Sequence, residues 1–528
     1  MSEEVTGREL LEQVEAHRRT ILDEGRPKAV ESQHALGKLT ARERLAAFVD
    51  KGTFAEVGVF GEPSHETEWT KDVVAPADGV VTGTARVDGR PVGLIVGDFT
   101  VLGGSMALTG GMKCEEIARG CRDNGYPMVM LFDGGGHRIQ EALDSRHFSF
   151  GATVSVRYST MAQLSGWVPM VAAILGPGFA GPANYAAMAD FVVIVRGIGT
   201  MGIAGPALVK IALGEDVTKE SLGGADVQGN DYGVADLVVD TEAEALEAIQ
   251  RFLAYLPSNS GQLPPIAPVG PEDAPDRRDE ELLELVPPNS RRAYDVRKVI
   301  GLIGDRDSVL ELKPGYARNI VTSFMRLHGR PVGVIANQPL HRAGTIDSPA
   351  CEKAAHFVSM CDAYGVPLLY LIDTPGILVG TAAEKSGLIR RHARMMYELG
   401  HATVPRMTVV LRKGYGIAYV MMNGGREFQP DVNLIWPTAE ICGMQIEGAV
   451  DVAHRKEVAA APDPAARRAE IIAGYRAQVG PVQAASGFGV DDVVDPRDTR
   501  ARLIEVLERV APRRHDNHPP KRHGISPI

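Results

Sequence analysis

Apolar residues fall into short unbroken runs along this chain, and each run ends in a glycine turn. PVGLIVGDF (91–99), PMVMLFD (127–133) and PMVAAIL (169–175) are rich in β-branched and other apolar side chains with no polar alternation. That pattern predicts strands buried on both faces. SMALTGGMKCEEIARGCRDNG (105–125) has helical spacing, with Ser105 as the expected cap and Gly125 as the stop. The charged opening MSEEVTGRELLEQVEAHRR also has a helical pattern and is not expected to be a signal peptide. Strand, turn and helix alternate, which predicts an α/β layered fold.

The grammar occurs twice. GRPVGLIVGDFTVLGGS begins at Gly89 and GRPVGVIANQPLHRAGT at Gly329, 240 positions later. GYPMVMLFDGGG at Gly125 matches GVPLLYLIDTPG at Gly365 with the same offset, pairing Asp133 with Asp373 and Gly136 with Gly376. VPMVAAIL at Val168 matches VPRMTVVL at Val404, an offset of 236. Three matches in one order imply two homologous domains. Between them, LPSNSGQLPPIAPVGPEDAPDRRDEE (256–281) has the proline and charge content of a linker. The expected organisation is a helical segment 1–29, a domain 30–255, a linker 256–290, a domain 291–512 and a tail 513–528.

The turn that follows the third run, GPGFAGPANY (176–185), looks like a phosphate cradle but lacks its chemistry. Pro182 and Ala183 stand where a P-loop has Lys and Ser/Thr, and the turn does not open the first strand–helix unit as a dinucleotide fingerprint does. A sharp strand-to-helix corner built from small residues leaves backbone N–H groups free to converge on one oxyanion. The plain alternative is a tight corner that holds nothing. RKGYGIAYVMM (412–422) places Gly414, Gly416 and Ala418 at the equivalent point of the second repeat, so two carbonyls to be polarised are expected.

Composition narrows the partners. With 528 residues, 44% hydrophobic and 23% charged, the chain is globular and of multidomain length. A formal net charge of −11 argues against a general nucleic-acid partner, and no apolar run reaches membrane-helix length. The five cysteines, Cys114, Cys121, Cys351, Cys361 and Cys442, form no CxxC pair and are expected to be free and reduced in a cytoplasmic protein. The histidines of RRHDNHPPKRHGISPI are too irregularly spaced for a metal site, so no metal is expected.

Several motifs together resemble the carboxyltransferase (β) subunit of biotin-dependent acyl-CoA carboxylases of the propionyl-CoA and methylcrotonyl-CoA type. They are GKLTARERLAAFVDKGTFAEVG, DGVVTGTARVDGRPV, DFTVLGGS, AGPALVKIALGEDVTKESLGGA, ARNIVTSFMRLHGRPVGVIANQP, EKAAHFVSMCDAYGVPLLYLIDTPG, DVNLIWPTAEICGM and PPKRHGISPI. The resemblance implies an α/β fold of two tandem crotonase-like ββα-spiral domains. It implies a homohexamer in which the first domain of one subunit faces the second domain of its neighbour. Acyl-CoA would bind mainly on the first domain. Carboxybiotin, brought by a separate biotin carboxylase/carrier (α) subunit, would enter along the second. By motif match, Ala180 and Gly181 N–H would meet the thioester oxygen, and Ile417 and Ala418 N–H the biotin carbonyl. Gly135, Gly136, His137, Arg138, Tyr419 and Val420 would line the substrate sites.

The chain departs from the family pattern at several points. Pro182 brings no N–H to a loop position that is usually a small residue with one. Phe179 and Asn184 are also unusual there. His137 replaces a small residue in DGGGHR, as a space-filling histidine or a proton donor. Arg138 is expected in a salt bridge or facing a CoA phosphate. Val420, often Asp in propionyl-type relatives, makes the acyl wall more apolar, through neutral repacking or for a bulkier acyl group. GMKC (111–114) weakly resembles a biotin-attachment motif but lies in a helical stretch, so Lys113 is expected to be an ordinary surface lysine. The competing functions are an acyl-CoA decarboxylase or transcarboxylase of the same fold, and a degenerate scaffold subunit.

Overall fold

The unbroken apolar runs become the middle of a sheet. In a computed structural model, which describes residues 6–63, 68, 70–145, 149 and 156–514, the chain forms two units, Met1–Gln262 and Leu263–Ile528. The first contains β1 (Ala55–Val57), β2 (Val80–Val87), β3 (Arg90–Gly97), β4 (Ser105–Met106), β5 (Met128–Phe132), β6 (Gly136–His137), β7 (Met170–Ile174), β8 (Pro177–Phe179), β9 (Phe191–Val195), β10 (Thr200–Gly202) and β11 (Leu237–Val239). Its main sheet runs β1-β2-β3-β5-β7-β9-β11, and β8 pairs with β10 and β4 with β6. The first three strands are antiparallel and the remainder parallel. Every residue of β5, β7 and β9 is buried, which is why these runs lack alternation.

The second unit contains β12 (Leu310–Leu312), β13 (Ile320–Leu327), β14 (Arg330–Asn337), β15 (Leu368–Thr374), β16 (Arg406–Tyr415), β17 (Val432–Ile435), β18 (Glu440–Cys442) and β19 (Asp492–Val493). Its order, β12-β13-β14-β15-β16-β17-β19, repeats the first, with β18 paired to the end of β16. The sequence repeat is also a register repeat. Gly93 pairs with Met128 and Gly333 with Leu368; Met128 pairs with Met170 and Leu368 with Arg406. Both β-hairpins turn through two positive-φ residues, Asp88–Gly89 and His328–Gly329, as a two-residue turn requires.

The helices Leu108–Asn124 and Ser348–Ala363 pack against glycines of β3 and β14. A Cβ on Gly93 would lie 2.3 Å from Cys121 Sγ, and one on Gly333 would lie 2.5 Å from Cys361 Sγ. These two cysteines are repeat-related packing atoms, and all five cysteines are free.

Several sequence expectations change. Gly125 ends its helix in the left-handed conformation, but Ser105 lies in β4 and caps nothing. Asp78 Oδ2 caps instead, accepting from Ala107 N at 3.2 Å and Gly110 N at 2.7 Å. Lys113 is not a surface lysine: it is 7% exposed, and its Nζ donates to Ala77 O and Val80 O, both at 2.7 Å. Its repeat partner Lys353 likewise donates to Lys313 O, Tyr316 O and Ile320 O.

The expected linker 256–290 makes contacts at both ends. Asn259 donates to Gly125 O within the first unit, while Leu282 and Val286 join the core of the second. Of the expected tail 513–528, the part beyond Arg514 lies outside the described residues. Among the described residues no helix is long and apolar enough to cross a membrane, and no group of three or more His, Cys, Asp or Glu is placed to hold a metal ion.

Candidate active site

The corner after β7 is built from one reversed residue. The chain passes through Gly176 and β8 to Ala180, whose φ of 63° and ψ of −114° turn it sharply into the helix Gly181–Ala186. Ala180 N donates to Gly202 O at 2.9 Å, so this N–H is committed to holding the corner. The N–H groups of Gly181 and Ala183 have no partner among the described residues, and Pro182 has none to offer. Of the pair expected at Ala180 and Gly181, the first N–H is thus bonded, while Gly181 and Ala183 remain open among the described residues. Gly136 lies alongside: with φ at 79°, a Cβ there would sit 3.2 Å from Pro182 Cδ and 3.5 Å from Gly181 N. Only a glycine permits that approach. Gly135 is exposed, and its N–H donates to Gly103 O at 3.1 Å.

Beneath this corner lies a buried charge network that sequence reading missed. Asp133, at the end of β5, is 1% exposed. Its carboxylate takes Lys38 Nζ at 2.7 and 2.9 Å and Gln33 Nε2 at 3.0 Å, and pairs with Arg44 at 2.9 Å. Arg44 also binds Glu242 at 2.6 and 3.0 Å and Leu175 O at 3.2 Å. Lys38 Nζ sits 3.7 Å from the centre of the Phe99 ring. Burial pushes the Lys38 ammonium below its ordinary value, and Asp133 opposes that shift. A Cβ on Gly176 would fall 1.9 Å from Asp133 Oδ1, so Gly176 exists to admit the carboxylate.

The second unit solves the same problem locally. β16 leads without a break to Gly416 (φ 61°), the counterpart of Ala180, and then to the helix Gly416–Met421. The N–H groups of Ile417 and Ala418 have no partner among the described residues. Ala418 thus supplies the donor that Pro182 removes from the first unit. Ala418 is fully buried and Ile417 is exposed. Asp373 is neutralised by Arg412 at 3.0 Å and Lys413 at 2.8 Å from the strand itself. Burial lowers the Lys413 pKa, and Asp373 works against it. Tyr415 Oη donates to Glu440 at 2.7 Å, and burial followed by Glu440 keeps that phenol protonated.

The remaining candidates divide. His137 is half-buried in β6, where β4 holds it in register opposite Met106. The backbone bond Arg138 N to Met106 O, 2.8 Å, recurs as Leu378 N to Ile346 O, 2.8 Å, so the loop geometry repeats although the side chains differ. Arg138 is 2% exposed and donates to Asp78 Oδ1 at 2.7 Å and Ser105 O at 2.8 Å. This is the salt bridge expected as one of its two roles. Tyr419 packs against glycines. Its ring packs where Cβ atoms on Gly414 and Gly424 would stand, at 2.8 and 2.3 Å. Val420 remains half-buried on the same short helix.

The match to a family model described as the carboxyl transferase domain covers residues 32–525. The propionyl-CoA carboxylase carboxyltransferase subunit of Haloferax mediterranei is 40% identical over 525 residues, covering 99% of this chain and 100% of that protein. The methylmalonyl-CoA decarboxylase α subunit of Propionigenium modestum is 39% identical over 505 residues, covering 95% of each. The crystal structure of a transcarboxylase 12S hexamer with methylmalonyl-coenzyme A and methylmalonic acid bound aligns over 100% of both chains, with a TM-score of 0.93 and 40% identity. The fold is accordingly the tandem crotonase-like α/β fold. The chain belongs to the carboxyl transferase domain family of acyl-CoA carboxylases.

Proposed function

We propose that the chain is the subunit that carries a carboxyl group from carboxybiotin, borne by a separate carrier chain, to the α-carbon of an acyl-CoA. One observation carries the reading: each unit presents neutral backbone donors with no partner among the described residues, at a corner set by a positive-φ residue, Ala180 in one and Gly416 in the other. When bound, carboxybiotin supplies the CO2 unit and a ureido group able to take the α-proton. Gly181 and Ala183 N–H would hold the thioester oxygen as it gains enolate charge. Ile417 and Ala418 N–H would hold the ureido carbonyl. Fixed donors need no reorganisation when charge appears, and removal of one costs about 3–4 kcal/mol of barrier. Gly136, close against Gly181, leaves room beside the donor for the substrate oxygen.

The relatives' assemblies and the five free cysteines support a homohexamer working in the cytoplasm with a biotin carboxylase/carrier α subunit. The test is incubation of the chain with bicarbonate, ATP, biotinylated carrier, biotin carboxylase and a panel of acyl-CoAs. Carboxylation of at least one acyl-CoA is the expected result. Loss of CO2 from malonyl-type CoAs, with no carboxylation of any acyl-CoA, would favour the decarboxylase reading instead. The likeness to a methylmalonyl-CoA decarboxylase subunit motivates that alternative, and an enolate held by the same donors serves both directions.

A further inference from the structure

We infer that Lys38, together with Arg44, is a positioning residue for the thioester-side corner: through Asp133 it sets where the Gly181 N–H points. The inference rests on the carboxyltransferase reading. It begins with a difference between the repeats. Asp373 draws both its cations from Arg412 and Lys413, the residues that lead into their own corner. The positions equivalent to these in the first unit are Gly176 and Pro177, which carry no charge. Asp133 is as deeply buried as Asp373, and a buried carboxylate without a cation is strongly disfavoured. Lys38 and Arg44 fill the vacancy from the N-terminal segment.

Their contacts reach the corner by short covalent paths. Asp133 Oδ1 occupies the space beside Gly176 that a Cβ would need. The next residue, Gly134, donates to Pro177 O at 2.8 Å. Leu175 N donates to Phe132 O at 2.9 Å, while Arg44 holds Leu175 O at 3.2 Å. Both loops that meet at Gly136 and Gly181 are therefore pinned where they leave the sheet. Lys38 is 5% exposed and makes two short bonds to Asp133, so it has little freedom to move without moving them.

The test uses the full-length chain with its carrier and biotin carboxylase, and the variant Lys38→Met. Three readouts are taken. The kcat of acyl-CoA carboxylation should fall at least tenfold with KM within twofold. Release of CO2 from the carboxylated carrier without acyl-CoA should stay within twofold, because that step uses the second unit. Amide exchange followed by mass spectrometry should quicken at least tenfold in 176–186 and remain unchanged in 412–422. Exchange does not depend on turnover, so it decides the inference even if the chain carboxylates no acyl-CoA and the functional reading fails. Unchanged exchange in 176–186, unchanged kcat in an active enzyme, or a parallel fall of both reactions with faster exchange in both units would overturn it. Should Lys38→Met not fold, Gln33→Leu, which removes one bond to Asp133 and one to Leu39 O, is read in the same assays.

Discussion

Gly176→Ala is the sharpest single perturbation available, because the substitution adds one carbon and the structure says what it meets. The new Cβ would lie 1.9 Å from Asp133 Oδ1, 2.6 Å from Asp133 Cγ and 3.2 Å from Lys38 Nζ. Backbone strain plays no part, since Gly176 is absent from the positive-φ residues. The carboxylate must leave its place and stretch its ion pairs to Lys38 and Arg44. Breaking a buried pair by displacing one partner costs about 3–5 kcal/mol. For a unit of this size, each kcal/mol lowers the melting temperature by about 2–4 °C, so the first unit should melt about 6–20 °C earlier. Gly181→Ala is the control: its Cβ would meet nothing nearer than Tyr185 Cε2 at 3.8 Å, an ordinary contact, and its melt should match the wild type within a few degrees. The assay is differential scanning calorimetry of both variants at one scan rate. If Gly176→Ala melts within about 3 °C of the wild type, the ion network does not bear on Gly176 as argued.

Three further outcomes are expected. Ala180→Gly should stabilise the first unit by about 1 kcal/mol: relief of a φ of 63° is worth about 1–2 kcal/mol, less the added freedom of the unfolded chain, and a melt no higher than wild type would contradict this. Gly181→Pro deletes one open donor at a helix position that tolerates proline, so kcat should drop about 10²–10³-fold in a variant that keeps its fold, and unchanged turnover would remove Gly181 from the site. Burial pushes the Cys442 thiol up to about 11. At pH 8 that leaves about 100-fold less thiolate than an ordinary cysteine, partly offset by greater nucleophilicity. Iodoacetamide should therefore label Cys442 about tenfold more slowly than a free thiol, with the rate rising toward pH 11, and labelling as fast as a free thiol would refute the shift.

The strands and the duplication were legible because burial on both faces writes itself as an apolar run, and repeated runs preserve their spacing. Gly125 was legible as a helix stop for the same local reason. Buried polar side chains were not. Helix 348–363 is capped by Asp347 next to it, whereas helix 108–124 takes the same service from Asp78, thirty residues earlier and with no local signature. The motif located Arg138 and Tyr419 but not their partners, Asp78 and a glycine-lined recess. The motif also places Ala180 at the corner, and only the structure shows its N–H bonded to Gly202 O of β10. A buried Asp in each repeat was itself a clue that cations were needed, and the Arg-Lys pair at 412–413 answers it for the second repeat alone.

The origin of those cations also sets an order of assembly. Arg412 lies 39 residues from Asp373, so the second unit can close its charge network as soon as β15 and β16 have paired. Lys38 lies 95 residues from Asp133, and Arg44 lies 198 from the Glu242 that completes its shell. Long loops must close before such contacts repay their entropy, and contacts of high separation form slowly. During synthesis the first corner cannot reach its final charge balance until residue 242 has emerged, long after the strands that form the corner are made. The two halves of this duplicated chain therefore share an architecture but not a folding schedule, and the first half is the one exposed to delay.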